Sequence, residues 1–200
     1  FWTKFKTMNA AMTLNEKPSN MLKMHPKKFA MWLFMVSVIM LFVAFTSAYV
    51  VKQSDGVWLD FELPVLFDYT TFVILLSSVS MHWAFIAAKK NLIKQIRLAL
   101  GVTFVLGSIF LVGQYLAWGE LVESGVYFVG NPAGSFLYVL TGVHGLHLIS
   151  AVIFLIVVLI SAFQYKIHSK SLVQLEICTT YWHFLGGLWL YLYLFLALNH

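Results

Sequence analysis

The sequence predicts an all-α protein, an integral membrane bundle of five transmembrane helices, and three observations carry that reading. Hydrophobic residues make up 60% of the chain and charged residues 10%, with a mean hydropathy of +0.83. A soluble domain carries roughly a quarter charged residues. The stretch from Gly134 to Ile160, GSFLYVLTGVHGLHLISAVIFLIVVLI, contains neither a charge nor a proline. At about 1.5 Å per residue, its most apolar part alone crosses a ~30 Å hydrocarbon core as a helix. The remaining charges sort by sign into alternate loops.

Residues 1–28 read as a basic polar tail, with Lys4, Lys6, Lys17, Lys23, Lys27 and Lys28 against Glu16. Pro18 and Pro26 disfavour a long helix there, and Trp2 and Phe5 are candidate anchors on the membrane surface. Residues 29–200 form the transmembrane domain, with spans over about 29–51, 69–88, 98–118, 135–162 and 175–198. No secretory leader pattern precedes the first span, which is expected to act as its own insertion signal. The second span carries Ser77 and a stripe of small residues, Ser80, Ala84 and Ala88. The third carries Ala99, Thr103 and Gly107 at the same spacing. Such stripes let membrane helices approach closely. On the fourth span Gly142 and Gly145 are expected to admit a neighbouring helix beside His144 and His147, which share one helical face. On the fifth, Glu176, Thr180, His183 and Gly187 recur four, three and four residues apart, with Gly186 alongside.

Every Lys and Arg except Lys52 falls in the tail, in the turn of Lys89, Lys90, Lys94 and Arg97, or in the turn of Lys166 and Lys170. Asp55, Asp60, Glu62, Asp68, Glu120 and Glu123 fall on the opposite side. The positive-inside rule therefore places the N-terminus in the cytoplasm and the C-terminus in the periplasm. The same asymmetry accounts for a pI near 9.3 without any nucleic-acid partner. Trp58, Tyr69, Trp118 and Tyr127 sit where aromatic belts are expected. Cys178 is the single cysteine, so the chain builds no disulfide and no Cys-pair metal site by itself. The sequence shows no internal repeat, and an odd number of spans disfavours a duplicated transporter.

Three chemistries compete for the polar residues of the spans. Imidazoles three apart with a carboxylate nearby suit a metal, yet His25, His168 and His200 lie outside the spans and no clustered histidine motif appears. A proton path needs ionisable groups across the membrane, whereas Glu176 and Glu120 stand near opposite ends of their helices. The third reading is hydrogen bonding that fixes helix packing, at about 1 kcal/mol or less per bond; the start of a helix also suits Glu176 through the dipole. The residues favour this third role for His144, His147, Gln114, Glu120, Glu176 and His183. Trp182, Trp189, Tyr191 and Tyr193 read as packing and interface residues. Neither a Cys-x-x-Cys-His haem motif nor a phosphate-cradling glycine loop is present.

The last two spans carry a more specific pattern. GSFLYVLTGVHGLHL and, after a charged turn, LEICTTYWHFLGGLWLYLYL resemble subunit III of the haem-copper terminal oxidases, the cytochrome c oxidase subunit 3 family. The matching features are the Gly-Ser start, Thr-Gly-x-His-Gly-x-His, Glu176 seven residues before His183 of Tyr-Trp-His-Phe, and Trp189 six after it. SVSMHWA, the Gln114 to Glu120 region and AMWLFMVSVIMLFVAFTSAYV agree more loosely. The resemblance covers about residues 27–198, with the tail outside it, and is closest to the shorter, five-helix bacterial form. It implies a multi-pass subunit of a bacterial inner membrane that binds no metal or cofactor of its own, haem and copper being housed in partner subunits. It also implies packing on subunit I, company of subunit II and of subunit IV or a larger respiratory supercomplex, phospholipid held between helices, and support of proton uptake. Two departures stand out. Val38 replaces a Glu that the family often carries after the Ser aligned with Ser37, and Gly186 replaces an Asp, so neither carboxylate role transfers. Cytochrome c is the first expectation for electron donor and quinol the second. The accessory subunit of a nitric oxide reductase is the near alternative, and a stand-alone membrane metalloenzyme the distant one.

Overall fold

The computed structural model describes residues 26–54, 58, 63–164 and 172–199. Trp2, Phe5 and the rest of the tail to residue 25, the acidic residues Asp55, Asp60 and Glu62, the turn with Lys166, His168 and Lys170, and His200 lie outside the described residues. Among the described residues five helices are long and apolar enough to cross a membrane: α1 (Pro26–Gln53), α2 (Leu66–Lys89), α3 (Ile93–Glu123), α4 (Pro132–Phe163) and α5 (Val173–Asn199). No strand occurs among the described residues.

The ends differ from the expected spans in one direction. α1 begins at Pro26, so Lys27 and Lys28 belong to the helix and not to a tail. Proline lacks an N–H that the first turn would leave unbonded anyway, which makes Pro26 a helix opener here and not a breaker. α3 starts at Ile93 and runs to Glu123, well beyond the apolar window of 98–118. Lys94 and Arg97 end the hydrophobic run but leave the backbone hydrogen bonds of the helix untouched. Arg97 in turn donates to the last carbonyls of α4, Ala162 at 3.2 Å and Phe163 at 3.3 Å, a cationic finish at a helix C-terminus. α4 is started by Asn131, whose side chain accepts from the Ala133 N–H at 2.9 Å, with Pro132 in the first turn. Gly134 is required there, because a Cβ would stand 2.5 Å from the Tyr127 carbonyl oxygen.

α2, α3, α4 and α5 close into a ring in which each helix is antiparallel to its two neighbours, and α1 packs outside it on α4 and α5. α1 meets neither α2 nor α3 among the described residues. The two small-residue stripes face each other across the α2–α3 hairpin: Ser80, Ala84 and Ala88 are buried against Ala99, Thr103 and Gly107. The Ser80 and Thr103 hydroxyl oxygens lie 2.6 Å apart. Gly107 also receives the buried Trp182 indole, which a Cβ would meet at 2.7 Å.

The other glycines divide. Gly186 lies against α2, where a Cβ would be 2.9 Å from the Ser78 Oγ. Gly145 and Gly187 have nothing within 4 Å of a Cβ, and Gly142 meets only the Trp118 ring at 3.8 Å. The expected close approach at Gly142 and Gly145 is therefore absent among the described residues. Both line an open groove between α3 and α4 with Gln114, Trp118 and Thr141, because α3 is held off by its Trp118 ring. Gly107→Leu should lower the stability of the detergent-solubilised protein by roughly 1–3 kcal/mol through overpacking against Trp182. Gly145→Ala should not lower the melting temperature, since it fills open space and Ala favours the helix. Thermal unfolding of the two variants side by side checks the contrast.

Candidate functional site

A hydroxyl inside a membrane helix has one hydrogen to give and lone pairs to spare. In this bundle five of them adopt the same arrangement. Ser77 donates to the Ile74 carbonyl and accepts the Trp182 Nε1–H at 3.0 Å. Thr71 donates to the Phe67 carbonyl and accepts the Trp189 Nε1–H at 2.9 Å. Thr70, bonded to the same carbonyl, accepts from the Gln114 Nε2 at 3.0 Å. Thr141 donates to the Leu137 carbonyl and accepts the Trp118 Nε1–H at 3.1 Å. Thr46 donates to the Phe42 carbonyl and accepts the Tyr191 hydroxyl at 3.1 Å. Each donor comes from a different helix, so each pair is a cross-link between spans. Tyr193 adds a further one to Asp68. The four aromatics assigned to packing from sequence are thus polar anchors as well. What sequence reading missed was the partner: Trp182 and Trp189 are seven apart, and Ser77 and Thr71 stand opposite them on antiparallel α2.

Trp189 is the centre of the ring. It is fully buried, stacks on Phe67 of α2 at 5.9 Å, meets Phe110 of α3 edge-on at 5.0 Å and lies 5.1 Å from the His144 ring of α4. His144 is itself fully buried and reaches Phe42 of α1 at 6.4 Å. Neither of its ring nitrogens has a hydrogen-bond partner among the described residues. His147, half-buried, turns its Nδ1 to the Val143 carbonyl of its own helix at 2.7 Å and lies beside Phe34 and Phe42.

Glu176 and His183, expected on one polar face, are used separately. Glu176 forms an ion pair of 2.7 Å with Lys28 of α1, both groups partly exposed. Thr180 shares the small recess around that pair with Trp32 and Met35. His183 instead meets His82 of α2, ring centroids 5.9 Å apart, and its Nε2 is buried without a partner. Gln114 keeps a buried Oε1 without a partner. Glu120, expected within the membrane packing, is exposed at the acidic end beside Tyr115, Trp118 and Glu123; the helix outlasts the apolar run and carries it out. No three His, Cys, Asp or Glu side chains among the described residues come together as a metal-ligand group.

Residues 2–198 match the family described as cytochrome c oxidase subunit III. The chain belongs to that family. The cytochrome c oxidase subunit 3 of Osphranter robustus is 32% identical over 183 residues, covering 83% of this chain and 67% of that protein. That of Formosania lacustris is 33% identical over the same shares, and that of Pelomedusa subrufa 32% identical over 84% and 67%. The subunit III match begins at residue 2, so it takes in the N-terminal stretch that the motif resemblance left outside. Membership with five spans makes this a multi-pass membrane component of an oxidase complex.

Thr71→Val keeps the shape of the side chain but strands the Trp189 N–H, and should cost about 1–2 kcal/mol. Trp189→Leu, which also removes contact with three helices, should cost roughly 2–4 kcal/mol. Both are read by denaturation in detergent, and equal losses would contradict the central placement of Trp189. The Lys28–Glu176 pair, being partly exposed, should show a coupling below about 1 kcal/mol in a double-mutant cycle with Lys28→Met and Glu176→Gln.

Proposed function

We propose that this chain is the non-catalytic subunit III of a proton-pumping terminal oxidase, packing on subunit I and sustaining its activity during aerobic respiration. The observation that carries this reading is where the polar side chains go. The hydroxyls, indoles and amide of the spans hold helix to helix, which is the chemistry of a scaffold. In this reading haem and copper belong to partner subunits, and grooves such as that of Gly142, Gly145 and Gln114 receive phospholipid chains. Support of proton uptake then works through lipid and packing at the subunit I surface, since Val38 and Gly186 stand where the family pattern often has acids. The basic ends of α1, α2 and α3 face the cytoplasm of a bacterial inner membrane, with Glu120 and Glu123 outside. Cytochrome c is the favoured donor, in an aa3- or caa3-like enzyme, with quinol as the second choice.

Purification through a tag on this chain should bring down a haem- and copper-containing subunit that reduces oxygen; a partner that reduces nitric oxide alone would favour the accessory subunit of that reductase. Metal at stoichiometric level in the isolated chain would favour a stand-alone metalloenzyme. Oxidase stripped of this subunit should begin at a near-normal rate of oxygen reduction and lose activity severalfold sooner. Unchanged turnover together with unchanged lifetime would overturn the supporting role.

A further inference from the structure

We infer that the seam of α2 and α5, on the open side of the bundle, docks a transmembrane helix of a partner subunit that brings a hydrogen-bonding side chain to His82 and His183. The inference rests on the oxidase-subunit reading and adds the face through which the chain engages its neighbours.

Depth is the first consideration. His82 lies seven residues from the Lys89 end of α2, and His183 ten residues into α5, about 10 and 15 Å inside helices that cross the membrane. Polar side chains facing lipid at that level are costly and ordinarily face protein. The exposed hydroxyls of the spans escape the cost within their own helix: Ser37, Ser150 and Ser161 donate to the carbonyls of Phe34, His147 and Val157. His147 spends its Nδ1 on the same device at the Val143 carbonyl, whereas His82 makes no such bond among the described residues and stays exposed with the His183 ring beside it. The His183 Nε2 is buried and has no hydrogen-bond partner among the described residues. A pair of imidazoles can offer both a donor and an acceptor, so a hydroxyl or carboxyl side chain, which can give and take, completes it.

Space is the second. α1 and α2 flank α5 without touching each other, and the strip of α5 between them is open. Gly187 has nothing within 4 Å of a Cβ, and Leu190, Tyr191 and Leu194 continue the exposed strip. Small residues at such a strip allow the backbone of an incoming helix to approach. Lipid does not meet the same need. An acyl chain has no hydrogen-bonding group, and a headgroup belongs near the level of the Lys28–Glu176 pair, seven residues or about 10 Å along α5 from His183.

The test uses the intact complex in native membranes, with the photo-crosslinker p-benzoylphenylalanine placed at Val79, one turn from His82 on the exposed face of α2, or at Val112 on the exposed face of α3. A crosslink to a different polypeptide from Val79, much stronger than from Val112, is expected. Crosslinks from Val79 to lipid alone, or to a second copy of this chain, overturn the inference. In parallel, His82→Phe should lower the amount of partner retained through detergent purification about fivefold, whereas His82→Gln, which still hydrogen-bonds, should stay within about twofold of wild type. Equal losses in the two variants overturn the hydrogen-bonding role. If the chain brings down oxygen-reducing subunits while Val79 captures no protein, the docking face is wrong and the oxidase reading stands. If it brings down none, the oxidase reading itself falls.

Discussion

Within a bilayer, apolar side chains gain little by leaving lipid for one another, so what holds helices together must be close packing and hydrogen bonds between them. Every helix carbonyl beyond the last turn is already bonded, and an indole N–H has no acceptor role to trade. The Ser and Thr hydroxyls resolve this. Each sends its hydrogen back to a carbonyl three or four residues earlier and leaves its oxygen open to a donor on the next helix. Ser77, Thr71, Thr70, Thr141 and Thr46 all do so, and these five contacts tie α2 to α5, α2 to α3, α3 to α4 and α1 to α5. The ring arrangement follows from which helices carry hydroxyls and which carry donors.

The same contacts set a gradient through the bundle. Trp189 touches the three other helices of the ring, and His144 passes the contact on to α1. α2 and α3 approach most closely because both faces are lined by small residues. α1 is attached more sparsely, by aromatic edges, by Tyr191 on Thr46, and by Tyr49 and Gln53 donating to the Asn199 carbonyl. Since α1 reaches only α4 and α5, the bundle retains one open side, between α1 and α2.

The helices, the small-residue stripes of α2 and α3 and the family were legible in the sequence because each depends on local pattern: apolar runs, spacing of four, and the Thr-Gly-x-His-Gly-x-His and Tyr-Trp-His-Phe motifs. That the two stripes would face each other was not. Pairings between distant residues were not. Periodicity put Glu176 and His183 on one face of α5 but could not say that the face spans two neighbours, so that Lys28 takes the first and His82 the second. Glycine spacing likewise marked Gly142 and Gly145 as contact points, while the actual distance of α3 is set by the bulk of Trp118, a residue on another helix. His82 escaped notice altogether. A lone histidine in SVSMHWA has no sequence signal for exposure, which depends on how α2 is rotated by its hydroxyls.

The two departures from the family pattern acquire a physical sense in these surroundings. At Gly186 a Cβ would stand 2.9 Å from the Ser78 Oγ, so an aspartate there would require the Ser78 side chain to turn aside. Val38 is buried on α1, on the helix that meets the ring through apolar and aromatic edges; a glutamate in its place would need a partner at the same depth. Both positions are thus occupied by residues with no side-chain polar group to satisfy at that depth. The polar capacity this chain keeps at membrane depth lies instead on its open side, at His82 and His183, where only a neighbour can satisfy it.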